Sequence, residues 1–544
     1  MDIALSVLGG LGLFLYGMNL MGMGLQKAAG EKLRKLIGIL TNNRLMGVIV
    51  GTLVTMVIQS SSATTVMVIG FVNTGLMTLS QAVGVIMGAN IGTTVTAQLI
   101  AFNLTDLAPL AVAAGVGIWI ATSRKRAKNL AEIMIGFGIL FIGMDMMSSG
   151  LKPLADNPIF SKIIISLDDP FLGILTGLGL TTIVQSSSAS IGLLQALASQ
   201  GLISLNIAFP ILFGDNIGTT TTALISSVGT NRTAKRAATI HFLFNLIGTI
   251  IFMTILREPI QAIVLRLSPN DVQRQIANAH TIFNLVNVLI QLPFAGLLVE
   301  IVKWIIPGEE DELLEGGLKY LDPRIIETPA IALGQANKEV FRMGKLVERN
   351  LINASKAFRN RDEGLIDKVF SQEQIINRLE REIMEYLVDL SNASLTDEEH
   401  NKINILMNIV NDLERIGDHA DNIGELAQIF VDERLEFTDD AMEEFDNIFG
   451  KGQEVLNKTL DALINVDFDK AREVLLLEEE VDFLEQKYRA NHINRLNKML
   501  CTPSAGAVFL DLLSNLERVS DHSSNISLYI LDQLKGKDVK NKKS

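Results

Sequence analysis

The sequence predicts an all-α protein with a polytopic membrane domain of two inverted repeats that contain re-entrant helical hairpins. A soluble helical domain of two three-helix bundles is predicted to follow it. Apolar runs long enough to cross a bilayer occupy residues 1–306, whereas amphipathic helical periodicity dominates the rest. Polar motifs inside the apolar runs occur twice, each pair 126 residues apart. Charge also divides the chain, because residues 1–306 carry a net charge of +6 and residues 307–544 carry −19.

Composition excludes several classes of function. A mean hydropathy of +0.32 and 43 glycines are typical of a chain that is partly embedded in a membrane. The acidic second half argues against nucleic acid as a partner. The single cysteine, Cys501, excludes a disulfide framework and a cysteine-ligated metal cluster. The first apolar run opens with Asp2 instead of a basic segment, so we expect no cleaved signal peptide.

Four apolar segments make up the first repeat. Ile3–Gln26 and Leu79–Phe102 are each long enough to cross a bilayer. Leu107–Ala121 is predicted to cross again, and it ends at the basic cluster Arg124–Lys128. Met46–Val72 is also apolar, but a polar motif interrupts its middle. It is therefore either a straight span with a polar break or a re-entrant hairpin of two half-helices.

Two polar motifs are duplicated inside these apolar runs. Four consecutive small polar side chains are costly in an apolar environment unless they bond or bind something. The same shift of 126 residues aligns Gly12–Asn19 with Gly138–Asp145, so the repeat unit is one membrane half-domain. The motif pairs are Gln59-Ser60-Ser61-Ser62-Ala63 with Gln185-Ser186-Ser187-Ser188-Ala189, and Asn90-Ile91-Gly92-Thr93-Thr94 with Asn216-Ile217-Gly218-Thr219-Thr220.

The positions of the basic clusters predict that the repeats are inverted. Arg124–Lys128 follows the last span of the first repeat, whereas a cluster beginning at Arg232 precedes the matching span of the second, Thr233–Leu256. Under the positive-inside rule these spans run in opposite directions. Inversion requires each repeat to cross the bilayer an odd number of times. With three other spans in each repeat, the number is odd only if the QSSS segment is a hairpin that does not cross. The same reasoning places residue 1 outside and everything after Ile306 in the cytoplasm.

The resulting domain prediction has six parts. They are membrane repeat 1 (1–126), membrane repeat 2 (127–256), an extracellular loop with a final transmembrane helix (257–306), an acidic linker (307–326), a cytosolic helical domain (327–534) and a disordered tail (535–544).

The duplicated motifs are predicted to form one binding site. At a hairpin tip, hydroxyls and a carboxamide lie beside the free N–H groups of a half-helix N-terminus, an arrangement that favours anions. Hydroxyl and carbonyl oxygens also suit Na+. Small residues can instead serve close helix packing, but duplication in register favours a site. The candidate anion- and sodium-binding residues are Gln59, Ser60, Ser61, Ser62, Asn90, Thr93, Thr94, Gln185, Ser186, Ser187, Ser188, Asn216, Thr219 and Thr220.

Asp215 breaks the symmetry, because its counterpart is Ala89. A carboxylate at that depth is a candidate sodium ligand or a proton carrier. Asp145, opposite Asn19, is a second asymmetry of less weight. No Lys or Arg occurs in residues 45–123 or 170–231. An anion bound there needs cations to offset its charge, which indicates coupling to Na+.

The soluble half contains another duplication, residues 411–419 against 514–522. The acidic residues in each copy are four positions apart and therefore share a helical face. Carboxylate oxygens of this kind bind divalent cations. The alternative, a solvated acidic face with Arg415 and Arg518 pairing locally, is left open. The candidate metal ligands are Glu414, Asp418, Asp482, Glu485, Glu517 and Asp521, with Glu380 nearby.

At the QSSS motifs the chain resembles the type II sodium/phosphate cotransporter family over about residues 3–306. This resemblance implies that inorganic phosphate and Na+ bind at the hairpin tips, with Gln59 to Ser62 and Gln185 to Ser188 as the core. The second half is similar to the PhoU family, whose paired E-x-x-x-D motifs bind metal; Glu414/Asp418 and Glu517/Asp521 match them. Asn377 departs from that pattern, because the second copy has Asp482 there. A PhoU-like tail on such a membrane domain is typical of bacterial members.

The resemblance implies a secondary active transporter that couples Na+ entry to phosphate transport by alternating access, with a regulatory PhoU-like tail. The alternative is a phosphate sensor that signals through this tail without net transport. The motif serines have no nearby His or Lys in sequence, so we expect no enzyme. The expected partners are phosphate, co-transported Na+ and the bilayer of the cytoplasmic (inner) membrane. A divalent metal in the tail and a homo-oligomer are left open.

Overall fold

We analysed a computed structural model, which describes residues 2–38, 43–102, 104–308, 317–326, 328–393 and 395–541. Every regular element in these ranges is a helix, which confirms the all-α prediction. The chain divides into two compact units, Met1–Glu312 and Leu313–Ser544. Residues 309–316 of the predicted linker and 542–544 of the predicted tail lie outside the described residues.

The first unit consists of α-helices joined by short turns. In chain order they are α1 (Asp2–Gly38), α2 (Arg44–Ile58), α3 (Ser61–Asn73), α4 (Leu79–Ala101), α5 (Ala108–Ala121), α6 (Lys125–Leu151), α7 (Pro158–Ser166), α8 (Pro170–Val184), α9 (Ser187–Ser199), α10 (Leu205–Ser226), α11 (Arg232–Ile251), α12 (Arg257–Leu267), α13 (Val272–Gln291) and α14 (Ala295–Ile305).

Five helical segments of the described chain are long and apolar enough to cross a bilayer. This confirms a multi-pass membrane protein. Helix α5 matches the predicted span Leu107–Ala121 to within one residue, but with 14 residues, about 21 Å, it is not among the five. One expectation needs correction. A five-residue π-helical turn, Phe252–Leu256, joins α11 to α12, so the helix continues to Leu267 where a loop was predicted from residue 257. The five segments are Ile3–Ala29, Leu79–Ala101, Lys125–Ala155, Arg232–Leu267 and Val272–Ile305.

Helices α1 and α6 pack against each other in opposite directions. Glycines spaced by seven residues allow their backbones to touch: Gly10 lies against Gly143, and Gly17 lies against Gly136. Moving forward along α1 therefore means moving backward along α6. Because α1 and α6 are the same segment of the two repeats, 126 residues apart, their antiparallel packing is that of an inverted repeat.

Helices α2 and α4 instead run parallel. Gly84 and Gly88 of α4 lie against the carbonyls of Arg44 and Val48, always 40 positions earlier in the chain. Since α3 lies between them in sequence and precedes α4 by only a short turn, α3 must run back against α2. With 15 and 13 residues, α2 and α3 are each too short to cross the roughly 30 Å of a bilayer core. They form a re-entrant hairpin, as predicted.

The second repeat has the same construction. Gly214 of α10 lies against the carbonyl of Ile174 in α8, again 40 positions earlier. Helices α8 and α9 therefore form the second hairpin. The two repeats interlock, because α9 packs against α4 and α3 packs against α11. One such contact is the fully buried Gln195, whose Nε2 donates to the carbonyl of Ala97 at 3.1 Å.

The second unit is two bundles of three amphipathic helices, as predicted. Aromatic side chains fill the core of the first bundle, where Phe358 stacks on Phe430 with ring centroids 4.8 Å apart. The last helix continues to Asn541, whereas a disordered tail was expected from Lys535. The helices are α15 (Pro329–Asn360), α16 (Glu363–Ser391) and α17 (Asp397–Asp432), then α18 (Asp439–Asn465), α19 (Phe468–Asn497) and α20 (Pro503–Asn541).

Candidate functional site

Each QSSS motif is the break between the two helices of a hairpin. Gln59 ends α2 in the left-handed conformation, with φ of 60°, and Gln185 ends α8 with φ of 56°. The next residue, Ser60 or Ser186, caps the following helix by accepting a hydrogen bond from the backbone N–H three positions on, at 3.1 and 3.3 Å. The remaining two serines of each motif occupy the first turn of α3 or α9, where backbone N–H groups have no partner within the helix.

The glutamine side chains fasten each tip to a neighbouring helix. Gln59 donates from Nε2 to the carbonyl of Met56 at 2.5 Å and accepts a hydrogen bond from Thr96 of α4 at 2.8 Å. The second tip repeats this arrangement with Gln185, Thr182 and Thr222, at 2.5 and 2.8 Å. The two glutamines therefore set the geometry of the tips, although Gln185 is exposed in this unit whereas Gln59 is half-buried.

Just behind each tip, a hydroxyl on one helix of the hairpin faces a hydroxyl on the other helix. Thr55 of α2 donates to Thr64 of α3 at 3.0 Å, and the hydroxyl oxygens of Thr181 in α8 and Ser190 in α9 lie 2.9 Å apart. Sequence reasoning missed these residues. The signal that identifies them is the shift of 126 residues, which pairs a hydroxyl with a hydroxyl at each position. The residues missed are Thr55, Thr64, Thr96, Thr181, Ser190 and Thr222.

The NIGTT motifs lie on α4 and α10, buried beside the hairpins. Asn90 donates to the carbonyl of Ile86 at 2.9 Å, and the hydroxyl of Thr94 donates to the carbonyl of Ile91 at 2.8 Å. These bonds stay within one helix. The motif meets the hairpin through its glycine, because Gly92 packs on Thr55. The second copy has the same buried placement and local bonds at Asn216, Thr219 and Thr220, with Gly218 on Thr181.

Asp215 lies inside the second repeat, 2% exposed. One carboxylate oxygen accepts a hydrogen bond from Thr181, and the other oxygen has no partner among the described residues. A buried carboxylate in this state requires a cation or a proton. Asp145 differs, because its side chain is exposed on the surface of the unit.

An acidic cluster lies in the second bundle of the PhoU-like unit. Carboxylate oxygens of Glu478, Asp482 and Asp521 are all within 4.8 Å of one another. Burial, followed by the neighbouring carboxylates, raises the pKa of Glu478 and of Asp482. Oxygen ligands at this spacing fit a divalent cation. Sequence reasoning found Asp482 and Asp521 but missed Glu478.

The other predicted metal ligands have local partners. Glu485 is paired with Arg489 one turn away, so it is engaged outside the cluster. Asp418 and Glu414 pair with Arg415 at 3.1 and 3.6 Å, and Glu517 lies 3.6 Å from Arg518. Arg518 also lies 3.4 Å from Asp521 of the cluster. The solvated acidic face that was left open is therefore partly present.

In the first bundle, Glu373 occupies the position that matches Glu478. Burial, followed by the carboxylates of Asp421, Asp418 and Glu414, raises its pKa to about 8. Asn377 supplies an amide where the second bundle has Asp482. Sequence reasoning missed Glu373, which precedes Glu478 by the same 105 residues that separate Asn377 from Asp482.

Comparison with known families agrees with this division of the chain. A family model described as "Na+/Pi-cotransporter" matches residues 13–149 and 140–268. A model described as "PhoU domain" matches residues 340–427 and 446–530. This chain belongs to the Na+/Pi-cotransporter family. It is a member in which a PhoU domain follows the membrane repeats.

Relatives of this family member extend over its whole length. The YjbB protein of Escherichia coli (strain K12), named "Putative inorganic phosphate export protein", is 26% identical over 537 residues, which cover 97% of each chain. YqeW of Bacillus subtilis (strain 168), named an uncharacterized protein, is 32% identical over 45% of this chain and 79% of its own. The "Sodium-dependent phosphate transport protein 2C" of Homo sapiens is 34% identical over 24% of each chain.

Proposed function

We propose that this protein couples Na+ to the movement of inorganic phosphate across the cytoplasmic (inner) membrane of a bacterium by alternating access. The observation that carries the proposal is the duplicated tip: in each repeat a QSSS motif ends one half-helix, caps the next and is fastened by the same glutamine contacts. The C-terminal PhoU domain lies in the cytoplasm in this proposal and regulates transport.

Phosphate binds at the two hairpin tips in this proposal. The first turns of α3 and α9 present backbone N–H groups without helical partners, and the positive end of each helix dipole lies at its hairpin tip. Ser61 and Ser62, with Ser187 and Ser188, add hydroxyl donors on those turns. Neutral donors hold phosphate without a fixed cation, which suits an anion that must also be released.

Sodium supplies the missing positive charge. The unpaired oxygen of Asp215, close to the hydroxyl of Thr181, is the best-supported cation ligand. Hydroxyls and unwound carbonyls at the tips offer further hard oxygen ligands. A Na+ bound there offsets both the buried carboxylate and the phosphate, which links occupancy of the two ligands.

The inverted repeats supply the mechanism of access. Antiparallel packing of α1 on α6 relates the repeats by an approximate two-fold axis, so each hairpin enters from the opposite side of the bilayer. Small movements of one repeat against the other then expose the tips to one side at a time. The direction of net flux follows the gradients, and the name of the full-length relative YjbB favours export.

The decisive experiment measures flux of labelled phosphate in proteoliposomes with an inward Na+ gradient, an outward Na+ gradient and no gradient. We expect the direction of phosphate movement to follow the sign of the Na+ gradient. A flux that ignores Na+ contradicts the coupling, whereas phosphate binding without any flux favours the sensor.

A further inference from the structure

The first turn of α11 joins two parts of the membrane unit. Asn231, which caps α11, donates from its backbone N–H to Oδ1 of Asn73 at 2.9 Å. Its Nδ2 donates to the backbone carbonyl of Asn73 at 2.8 Å. Asn73 is the last residue of α3, the half-helix that begins at the first QSSS motif. These two bonds, both donated by Asn231, fix the C-terminal end of α3 to the start of α11.

The same turn also holds the exit of the last membrane helix. Arg236 is 4% exposed, and its guanidinium donates to the carbonyl of Ile306 at 2.8 and 3.0 Å and to that of Gly308 at 2.6 Å. Ile306 caps α14, whose last carbonyls have no partner within the helix. A positive charge is favourable there because the C-terminal end of a helix carries a partial negative charge.

Both the backbone conformation and the close packing of Gly308 favour glycine at this position. Its φ of 111° lies in the region that favours glycine, and a Cβ atom there would approach Nη1 of Arg232 to 2.4 Å. The chain is therefore held against α11 as it leaves α14. The second compact unit begins at Leu313, only a few residues later.

The other repeat lacks the residues that make these contacts. At the matching positions of the other copy, Thr105 replaces Asn231, Leu110 replaces Arg236 and Ser199 replaces Asn73. At the hairpin tips, by contrast, the two copies keep the same glutamine contacts at positions 126 apart. The asymmetry occurs where the chain leaves the membrane unit for its C-terminal unit.

We infer that the start of α11 couples the exit of the last membrane helix, from which the chain continues toward the PhoU domain, to the first hairpin. Displacement of the segment after Ile306 acts through Arg236 on α11, and through Asn231 on Asn73 and α3. Arg236 and Asn231 are thus positioning residues: they touch neither predicted ligand but control the hairpin that carries Ser61 and Ser62. The functional part of this inference rests on the proposed transport, whereas the mechanical part does not.

Hydrogen–deuterium exchange of the full-length protein tests the mechanical part. Arg236→Gln leaves the carbonyls of Ile306 and Gly308 without their charged donor, so we expect exchange in residues 61–73 to accelerate about tenfold. Exchange in the matched segment, residues 187–199, should not change. Unchanged exchange in residues 61–73 overturns the inference, whether or not the protein transports phosphate. Arg236→Lys, which keeps the charge, replaces the glutamine variant if that one does not fold.

A double-mutant cycle tests the functional part. If Asn73 and Arg236 influence phosphate flux independently, the effects of their substitutions multiply. If they act in one chain of contacts, Asn73→Ala combined with Arg236→Gln should slow transport no more than the stronger single variant. The control cycle pairs Ser199→Ala with Arg236→Gln and should multiply. If the effects on flux multiply in both cycles, the coupling is overturned and the transport proposal stands. If the wild-type protein shows no flux, only the transport proposal is contradicted.

Discussion

Thr181 donates a hydrogen bond to Asp215 from α8 to α10, at the point where the first repeat has Thr55 and Ala89. The matching threonine hydroxyl therefore bonds to a carboxylate in the second repeat, whereas the first repeat has no carboxylate at that position. This contact places the strongest difference between the repeats immediately behind the second hairpin tip. In the proposed site, we expect this difference to give the two halves different affinities for cations.

Asp215→Asn should change the dependence of transport on Na+ more than its dependence on phosphate. The amide keeps the size and the bond to Thr181 but removes the charge that a cation would neutralise. Phosphate flux measured against Na+ concentration should need several-fold more Na+ for half-maximal rate. Asp145→Asn, an exposed carboxylate of the same unit, is the control. An unchanged Na+ curve in Asp215→Asn argues against its role as a ligand.

Ser187→Ala should abolish phosphate transport. Its hydroxyl lies on the first turn of α9, where the proposed anion binds. Ser61→Ala, at the matching position of the first hairpin, should have the same effect. Thr176→Ala is the control, because that exposed hydroxyl bonds only to the carbonyl of Leu172 within α8. Normal flux in Ser187→Ala refutes the site.

Gly17→Ala should destabilise the membrane unit by about 1–3 kcal/mol. A Cβ atom there would lie 2.3 Å from the backbone nitrogen of Leu140, so α1 and α6 must separate. Gly12→Ala is the matched control on the same helix, because its Cβ would meet nothing within 4 Å. Thermal unfolding in detergent measures both variants, and equal melting temperatures would contradict the antiparallel contact.

Glu373 should make the stability of the PhoU domain fall as pH rises from about 4.5 to about 8. Its pKa is raised from 4.5 to about 8 in the folded protein, so in this window the folded state holds a proton that the unfolded state has released. Glu373→Gln should flatten the dependence of melting temperature on pH. Asp367→Asn, an exposed carboxylate on the same helix, should not. If the melting temperature of Glu373→Gln depends on pH as strongly as that of the wild type, Glu373 is not the origin of the pH dependence.

A divalent cation should stabilise the PhoU domain through Glu478, Asp482 and Asp521. Their carboxylates repel one another without a cation, so Mn2+ should raise the melting temperature of the protein and chelation should lower it. Asp482→Asn should remove most of this response, and the exposed Asp469→Asn should not. Equal responses in the two variants would show that the cation binds elsewhere.

Repetition made much of the fold predictable. The shift of 126 residues located both hairpin tips, and the basic clusters predicted an inversion that the packing of Gly17 on α6 bears out. The end of α12 was missed because a π-helical turn continues the helix without any change in apolar character.

The candidate site was only partly predictable. Residues in the motifs stood out because their polarity conflicts with an apolar setting. Thr55, Thr181 and Ser190 did not stand out, since an isolated hydroxyl is ordinary in a membrane helix. Glu373 was hidden for the same reason, because one carboxylate among many on an amphipathic helix acquires its raised pKa only from burial by neighbouring helices.

By itself the sequence determined the helical class, the two repeats, the division into a membrane unit and a PhoU-like unit, and the identity of the polar tips. These properties follow from composition and periodicity, which are local. The tertiary structure decided which residues meet: Thr181 with Asp215, Glu478 with Asp482 and Asp521, and Arg236 with the end of α14. Such contacts join positions up to tens of residues apart, and they depend on how helices approach one another, which no local pattern encodes.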